Sequence, residues 1–205
     1  MRLRTAIRMI FALELHHKPF PDKASFVKKE SARRRFFTCY MMDRFSVCGS
    51  KRPMFITNKS LSFRLPSTDE SISQNGETTS CFFQELAVRQ AGREQSDNVI
   101  STALDITRIL GKANDYLQRG GLRGDSHFPW HPTSNLPSMV NELKTWELRI
   151  SSITLNSIDL SNKRTTGCWF LSWFIYHVTH VRIHRPFLPV AISASRFESG
   201  SGNHT

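Results

Sequence analysis

Residues 96–121 read SDNVISTALDITRILGKANDYLQRGG. Val99, Ala103, Ile106, Leu110, Ala113 and Leu117 follow one another at alternating steps of four and three. An α-helix turns once per 3.6 residues, so these side chains share one stripe. Ser96 or Asp97 can cap the start, because a short side-chain oxygen accepts from the orphan N–H groups of a first turn. Gly120-Gly121 supplies the left-handed residue that commonly closes a helix. The stripe runs for fewer than three heptads, which predicts a helix packed in a core rather than a free coiled coil.

The same periodicity extends in both directions. Upstream, Leu3, Ala6, Ile7, Ile10 and Leu13 predict an amphipathic helix over residues 2–15, ended by Pro19 and Pro21. A second helix is expected from near Ser25 to Cys48, with Phe36, Phe37, Tyr40, Met41, Val47 and Cys48 as its apolar face and Gly49 as its stop. Lys51 to Pro66 reads as an extended loop that can hold one short extended piece, Ser60 to Leu65. Thr68 to Thr79 is a polar connection, and Phe82, Phe83, Leu86 and Ala87 predict a short helix. Downstream, Gly120 to Pro137 reads as a loop rich in Gly and Pro. Met139, Leu143, Trp146 and Ile150 mark another helix, and Cys168 to His184 the last, stopping before Pro186. Residues 190–205 are small and polar and are expected to form a disordered tail. The fold class expected is all-α, a multi-helix, bundle-like arrangement around one core.

Composition narrows the function. Hydrophobic residues make up 39% of the 205 and charged residues 22%, apolar-poor enough to require loops or a tail. The net charge is +11, and residues 1–64 hold fifteen Lys+Arg against four Asp+Glu, so the whole excess lies in the first third. Such a region attracts nucleic acid, acidic proteins or anionic surfaces. Cys39, Cys48, Cys81 and Cys168 stand far apart with no C-x-x-C pair, so buried reduced thiols are expected, and a cytosolic or nuclear compartment. The best apolar run, Cys168 to Tyr176, is far shorter than the roughly 20 residues a membrane span needs.

Several segments, taken in order, resemble one known family. They are AIRMIFALELH (6–16), ESARRRFFTCYMMDRFSVCGSKRP (30–53), FRLPSTDES (63–71), NELKTWELRI (141–150) and YHVTHVRIHRPFLP (176–189). The series resembles the middle homology region of fungal transcription factors of the zinc binuclear cluster family. It is densest over residues 1–72 and thin between 73 and 135. The resemblance implies an all-helical regulatory domain over 1–189, incomplete at both ends, with loop-rich connections near 66–80 and 120–137. It implies a nuclear protein that modulates RNA polymerase II transcription through other transcription proteins or a small-molecule effector. A homodimer is compatible with it. The family's DNA-reading cluster needs six closely spaced cysteines, which this chain does not supply. No cofactor is therefore expected here, zinc belonging only to the cluster, and DNA is expected to be bound at most non-specifically.

Lys28, Lys29, Arg33, Arg34 and Arg35 form a possible basic contact patch for nuclear import or nucleic acid. Trp169, Phe170, Trp173 and Phe174 form an aromatic band, expected in the core, with the wall of an effector pocket as the sharper alternative. His177, His180 and His184 share a helix face and in principle could hold a metal, but no carboxylate is near in sequence to orient the rings. Asp43-Arg44 lies in an apolar helix, so both charges must meet partners, and Arg52 is one candidate partner of Asp43. Gly111-Lys112-Ala113 lacks the surroundings of a phosphate loop, and no G-x-S-x-G elbow occurs. Two other functions compete: a basic amphipathic helical protein of mitochondria or a membrane surface, and a small metal-dependent enzyme built on the histidines.

Overall fold

The computed structural model describes residues 2–14, 24–50, 52–58, 61, 64–67, 72–73, 81–87, 99–121, 124, 127, 131–152 and 162–187. Among them the chain forms helices α1 (Arg2–Ala12), α2 (Phe26–Val47), α3 (Val99–Gln118), α4 (Asn135–Ser152) and α5 (Lys163–His184). Short 3-10 turns occupy Phe83–Ala87 and Arg185–Phe187. Strand-like pairing among the described residues is limited to an isolated antiparallel bridge, Arg64 to Phe82, with Leu65 N–H donating to Cys81 O at 2.9 Å. The class is all-α. The expected extended piece thus survives as one bridge, and the expected tail at 190–205 lies outside the described residues, as do Ser96 and Asp97.

Local chemistry explains the helix ends. Gly49, at φ +90°, turns the chain out of α2, and Gly120 and Gly121, at φ +103° and +55°, turn it out of α3. These are backbone conformations that side-chain-bearing residues rarely adopt. Helix α5 begins at Lys163, more than a turn before the expected Cys168. Asn162 is the reason: its Oδ1 accepts from the N–H groups of Arg164 (3.1 Å) and Thr165 (3.3 Å). Helix α4 begins at Asn135, so Pro137 lies inside its first turn and not in the preceding loop. Proline is tolerated there, since a first-turn N–H has no intrahelical acceptor to lose.

Two apolar clusters meet at α3. The first gathers Ile7, Ile10, Phe36, Phe37, Tyr40, Ile56, Leu61, Leu65, Phe83, Leu86 and, from α3, Leu104. The second gathers Ile106, Ile109, Leu110 and Ala113 of α3 with Met139, Leu143, Trp146 and Ile150 of α4 and Ile175, Tyr176 and Ile183 of α5. Ile106, Leu110 and Ala113 of the expected stripe therefore face the second cluster, joined by Ile109 from off the stripe, while Leu104, also off it, faces the first. A helix packed on opposite sides must be buried almost all round, and α3 is. Its most extensive neighbour is α5, then α4 and α2.

Candidate functional site

A helix buried all round that also carries charges must satisfy them internally. Asp105 of α3 does so with Arg108 on its own helix, whose Nε stands at 2.8 Å, and with Arg149 of α4. Arg108 also pairs with Glu142 of α4 at 2.9 Å, and Lys112 with the same carboxylate at 2.5 Å. Burial alone would raise the Glu142 pKa, but the two cations outweigh it and hold the carboxyl below its ordinary range. Burial would likewise discharge Arg108, yet Asp105 and Glu142 push its pKa up. The indole N–H of Trp146 completes the seam, donating to Thr102 O at 2.9 Å.

A second polar knot ties α2, α3 and α5. Arg44, fully buried, donates to Asp43 at 3.0 Å and to Asn58 Oδ1 at 2.8 Å, and its guanidinium lies 3.7 Å from the Tyr40 ring centre. Asp43 accepts further from the backbone N–H groups of Phe55 (3.1 Å) and Ile56 (3.0 Å). Its partners are therefore its chain neighbour and the 52–58 segment, not the candidate Arg52. Asp43 becomes the nail that holds that segment to α2. Asn114 of α3 donates to Arg44 O at 3.2 Å and accepts from Arg182 of α5 at 3.1 Å. Gly111 leaves the room: a Cβ there would stand 3.2 Å from Arg44 Nε. The glycine of Gly111-Lys112-Ala113 thus serves helix packing. Tyr40, buried beside Arg44, has its pKa pushed up to about 12 by desolvation, partly opposed by Arg44.

The expected basic patch divides in two. Glu30, also buried, accepts from Arg34 Nε at 3.1 Å and pairs with Arg33 at 2.5 Å; its Oε1 takes the Ser67 N–H at 2.9 Å. Arg34 in turn donates to Ser67 O at 2.7 Å. Two of the five cations therefore clamp the 64–67 segment, and half their charge effect is cancelled by one carboxylate. Lys28 and Arg35 are exposed and Lys29 is half-buried. Sequence reading missed Glu30 because a lone acid among basic residues looks solvated; its only signal was the spacing to Arg33 and Arg34, three and four residues on.

The aromatic band also divides. Trp169 and Trp173 pack beside the second cluster, Trp173 edge-on to Trp146 at 5.8 Å. Phe170 and Phe174 point out, 61% and 58% exposed, which overturns the expectation of core packing for those two. Steps of i and i+1 on a helix diverge by about 100°, so a band of adjacent aromatics cannot share one face. The histidines stack along the flank of α5: His177 on Trp173 at 6.1 Å, His180 against His184 at 4.6 Å. Burial and then the neighbouring His180 lower the His184 pKa. Among the described residues no three His, Cys, Asp or Glu side chains come together as a metal site. An open cleft of about 270 Å³ lies between α3 and α4, lined by Lys112, Asp115, Arg119, Ser138 and Glu142 among others. The aromatic band is not part of it. One histidine–hydroxyl contact, His131 Nδ1 to Thr133 Oγ1 at 2.7 Å, also takes the Thr133 N–H, as a turn contact does. No helix is long and apolar enough to cross a membrane among the described residues.

Comparison with known proteins gives this architecture a family context. The family described as fungal specific transcription factor domain matches residues 2–182. The Zn(2)-C6 fungal-type transcription factor FTF2 of Fusarium oxysporum f. sp. lycopersici is 25% identical over 219 aligned positions, covering 97% of this chain and 20% of that protein. The factor FTF1c of the same fungus is 40% identical over 70 positions, 30% of this chain and 8% of that protein. An uncharacterized transcriptional regulatory protein of Schizosaccharomyces pombe is 24% identical over 65% of this chain and 14% of its own length. The chain thus spans about a fifth or less of these relatives. No solved structure matches. The zinc cluster in two of those names does not fit the residues present: a Zn₂Cys₆ site needs six thiolates, and the four cysteines here stand far apart in the chain, in no disulfide and half-buried.

Proposed function

The chain belongs to the fungal specific transcription factor domain family, and from that premise we propose that it is a regulatory module of a nuclear transcription factor, working by contact rather than by catalysis. The observation that carries the reading is the family match over residues 2–182, nearly the whole helical body. The geometry supports it from the other side. Glu30, Asp43 and Asp105 are each consumed in tying helices or segments together. Groups so committed set a rigid scaffold and have no spare valence for a reacting substrate. The module would modulate transcription by presenting surface to other proteins or by taking up an effector. DNA contact would be weak, salt-sensitive and blind to sequence, made by the exposed remainder of the basic residues.

The test is a fusion of the full chain to an unrelated DNA-binding domain in a fungal cell with a reporter. Reporter output several-fold above or below that of the DNA-binding domain alone is expected. Unchanged output from a well-expressed, nuclear fusion would remove the regulatory reading.

A further inference from the structure

Among the described residues, the outer face of α5 is largely uncovered. Gly167, Phe170, Phe174, His177 and Val181 follow at three- and four-residue steps, and all are exposed; Phe170, Phe174 and Val181 are 61%, 58% and 64% exposed. Lys163 begins this line and Arg185 ends it, both exposed, about 33 Å apart along a helix of this rise. Residues 163–187 contain no Asp or Glu. Glu147 of α4 is engaged by the Tyr176 hydroxyl. Phe45 of α2 touches Phe174, ring centres 6.4 Å apart, and Met42, 51% exposed, extends the apolar surface one turn along α2.

We propose that this face docks an acidic amphipathic helix: a partner segment with apolar residues at i, i+4, i+7 and i+11 and carboxylates at both ends. The apolar line matches the spacing by which a helix lies in a groove. The cationic ends, with no acid between them, select the partner's sign. A second copy of the chain fits poorly. Paired antiparallel, the lines set Lys163 against Arg185; paired in parallel, each cation meets its own copy. Gly167 is an independent pointer. It lies inside a helix, where glycine is a poor choice, and a Cβ there would meet nothing within 4 Å. Among the described residues nothing calls for a glycine at this point. A backbone approaching from outside does.

This inference deepens the contact reading and rests on it only for the existence of a partner. The test uses the purified full chain and a fluorescent peptide of about 20 residues with leucines at that spacing and glutamates at both ends. A control peptide carries lysines for the glutamates. Anisotropy should show the glutamate peptide binding at least about tenfold tighter at low salt. Phe170→Ser with Phe174→Ser should weaken it by about tenfold or more. Gly167→Leu should weaken it also while leaving the helical circular dichroism intact, which separates lost docking from lost folding. Equal binding of the two peptides, no binding of either, or self-association abolished by the Phe170→Ser, Phe174→Ser pair would each overturn the proposal. The same pair placed in the reporter fusion separates the two readings. Unchanged modulation removes this face and leaves the regulatory module; an inert parent fusion removes the module while peptide binding stands.

Discussion

Helices α3 and α5 are nearly equal in length and packed against each other, yet they are opposites in solvent. Fourteen of the twenty residues of α3 are buried, and five of the twenty-two of α5. Both are rich in apolar side chains, so hydrophobicity alone does not separate them. What separates them is the treatment of polar groups. On α3, Asp105, Arg108 and Asn114 are buried and every one has a partner on another helix. On α5, the charges stand at the two ends and the outward line between them is aromatic and aliphatic. A structural helix is marked by satisfied buried polarity, a contact helix by unsatisfied exposed apolarity.

The largest expected effect tests the first half of that contrast. Asp105→Ala would leave buried Arg108 with Glu142 alone and take this carboxylate from half-buried Arg149. Removing one partner of a buried pair costs about 3–5 kcal/mol. Urea unfolding followed by circular dichroism should show a loss of that size; a loss below about 1 kcal/mol would mean that α3 is not held by its charges. Next in size is Gly111→Ala. Alanine is the better helix former by about 1 kcal/mol, but overpacking costs about 1–3. The obstacle is Arg44, whose position is fixed by Asp43 and Asn58. A net loss of about 1 kcal/mol is expected, and a gain would show that Arg44 has room to move.

The contrast was only half legible in the sequence. The helices themselves were, because steps of three and four survive any tertiary context: Val99 to Leu117 gave α3, and Met139 to Ile150 gave α4. Boundaries failed where a single side chain decided them, as Asn162 did for α5 and as Ser134, whose Oγ accepts from Leu136 N–H, did for α4. The pairing of Asp43 was not legible because the choice between Arg52 and the amides of Phe55 and Ile56 depends on how the following segment folds back. The exposure of Phe170 and Phe174 was hidden for a different reason. Helix α5 is apolar on more than one side, so periodicity cannot say which side the neighbours cover. The clamp of Glu30 on Ser67 links residues far apart in the chain, and no local pattern encodes it.

Gly167→Ala tests the second half of the contrast, and its sign is opposite to that of Gly111→Ala. With open space around the added methyl group, the substitution should raise stability by about 0.5–1 kcal/mol. The same one-carbon change in the same kind of helix would thus destabilise α3 and stabilise α5. If both lower the urea midpoint, α5 has a neighbour along this line and its face is not bare. Val181→Ser, on the same line, should change stability by no more than about 0.5 kcal/mol.

The smallest effect expected is one of pH. Glu142 bridges Arg108 and Lys112 and keeps its proton off below its ordinary value of 4.5. A carboxyl depressed by folding contributes stability that is present above the unfolded pKa and lost as pH falls through the folded one. Acidification below about pH 4.5 should therefore lower the melting temperature, and Glu142→Gln should flatten that part of the profile while leaving the neutral-pH value slightly lower. No acid lies on α5, so Phe170→Ser, Phe174→Ser should leave the acid limb unchanged. An acid limb that Glu142→Gln does not alter would place the titration elsewhere in the chain. A limb that moved with the α5 substitutions would show the two helices to be electrostatically coupled, and the division between them would fail.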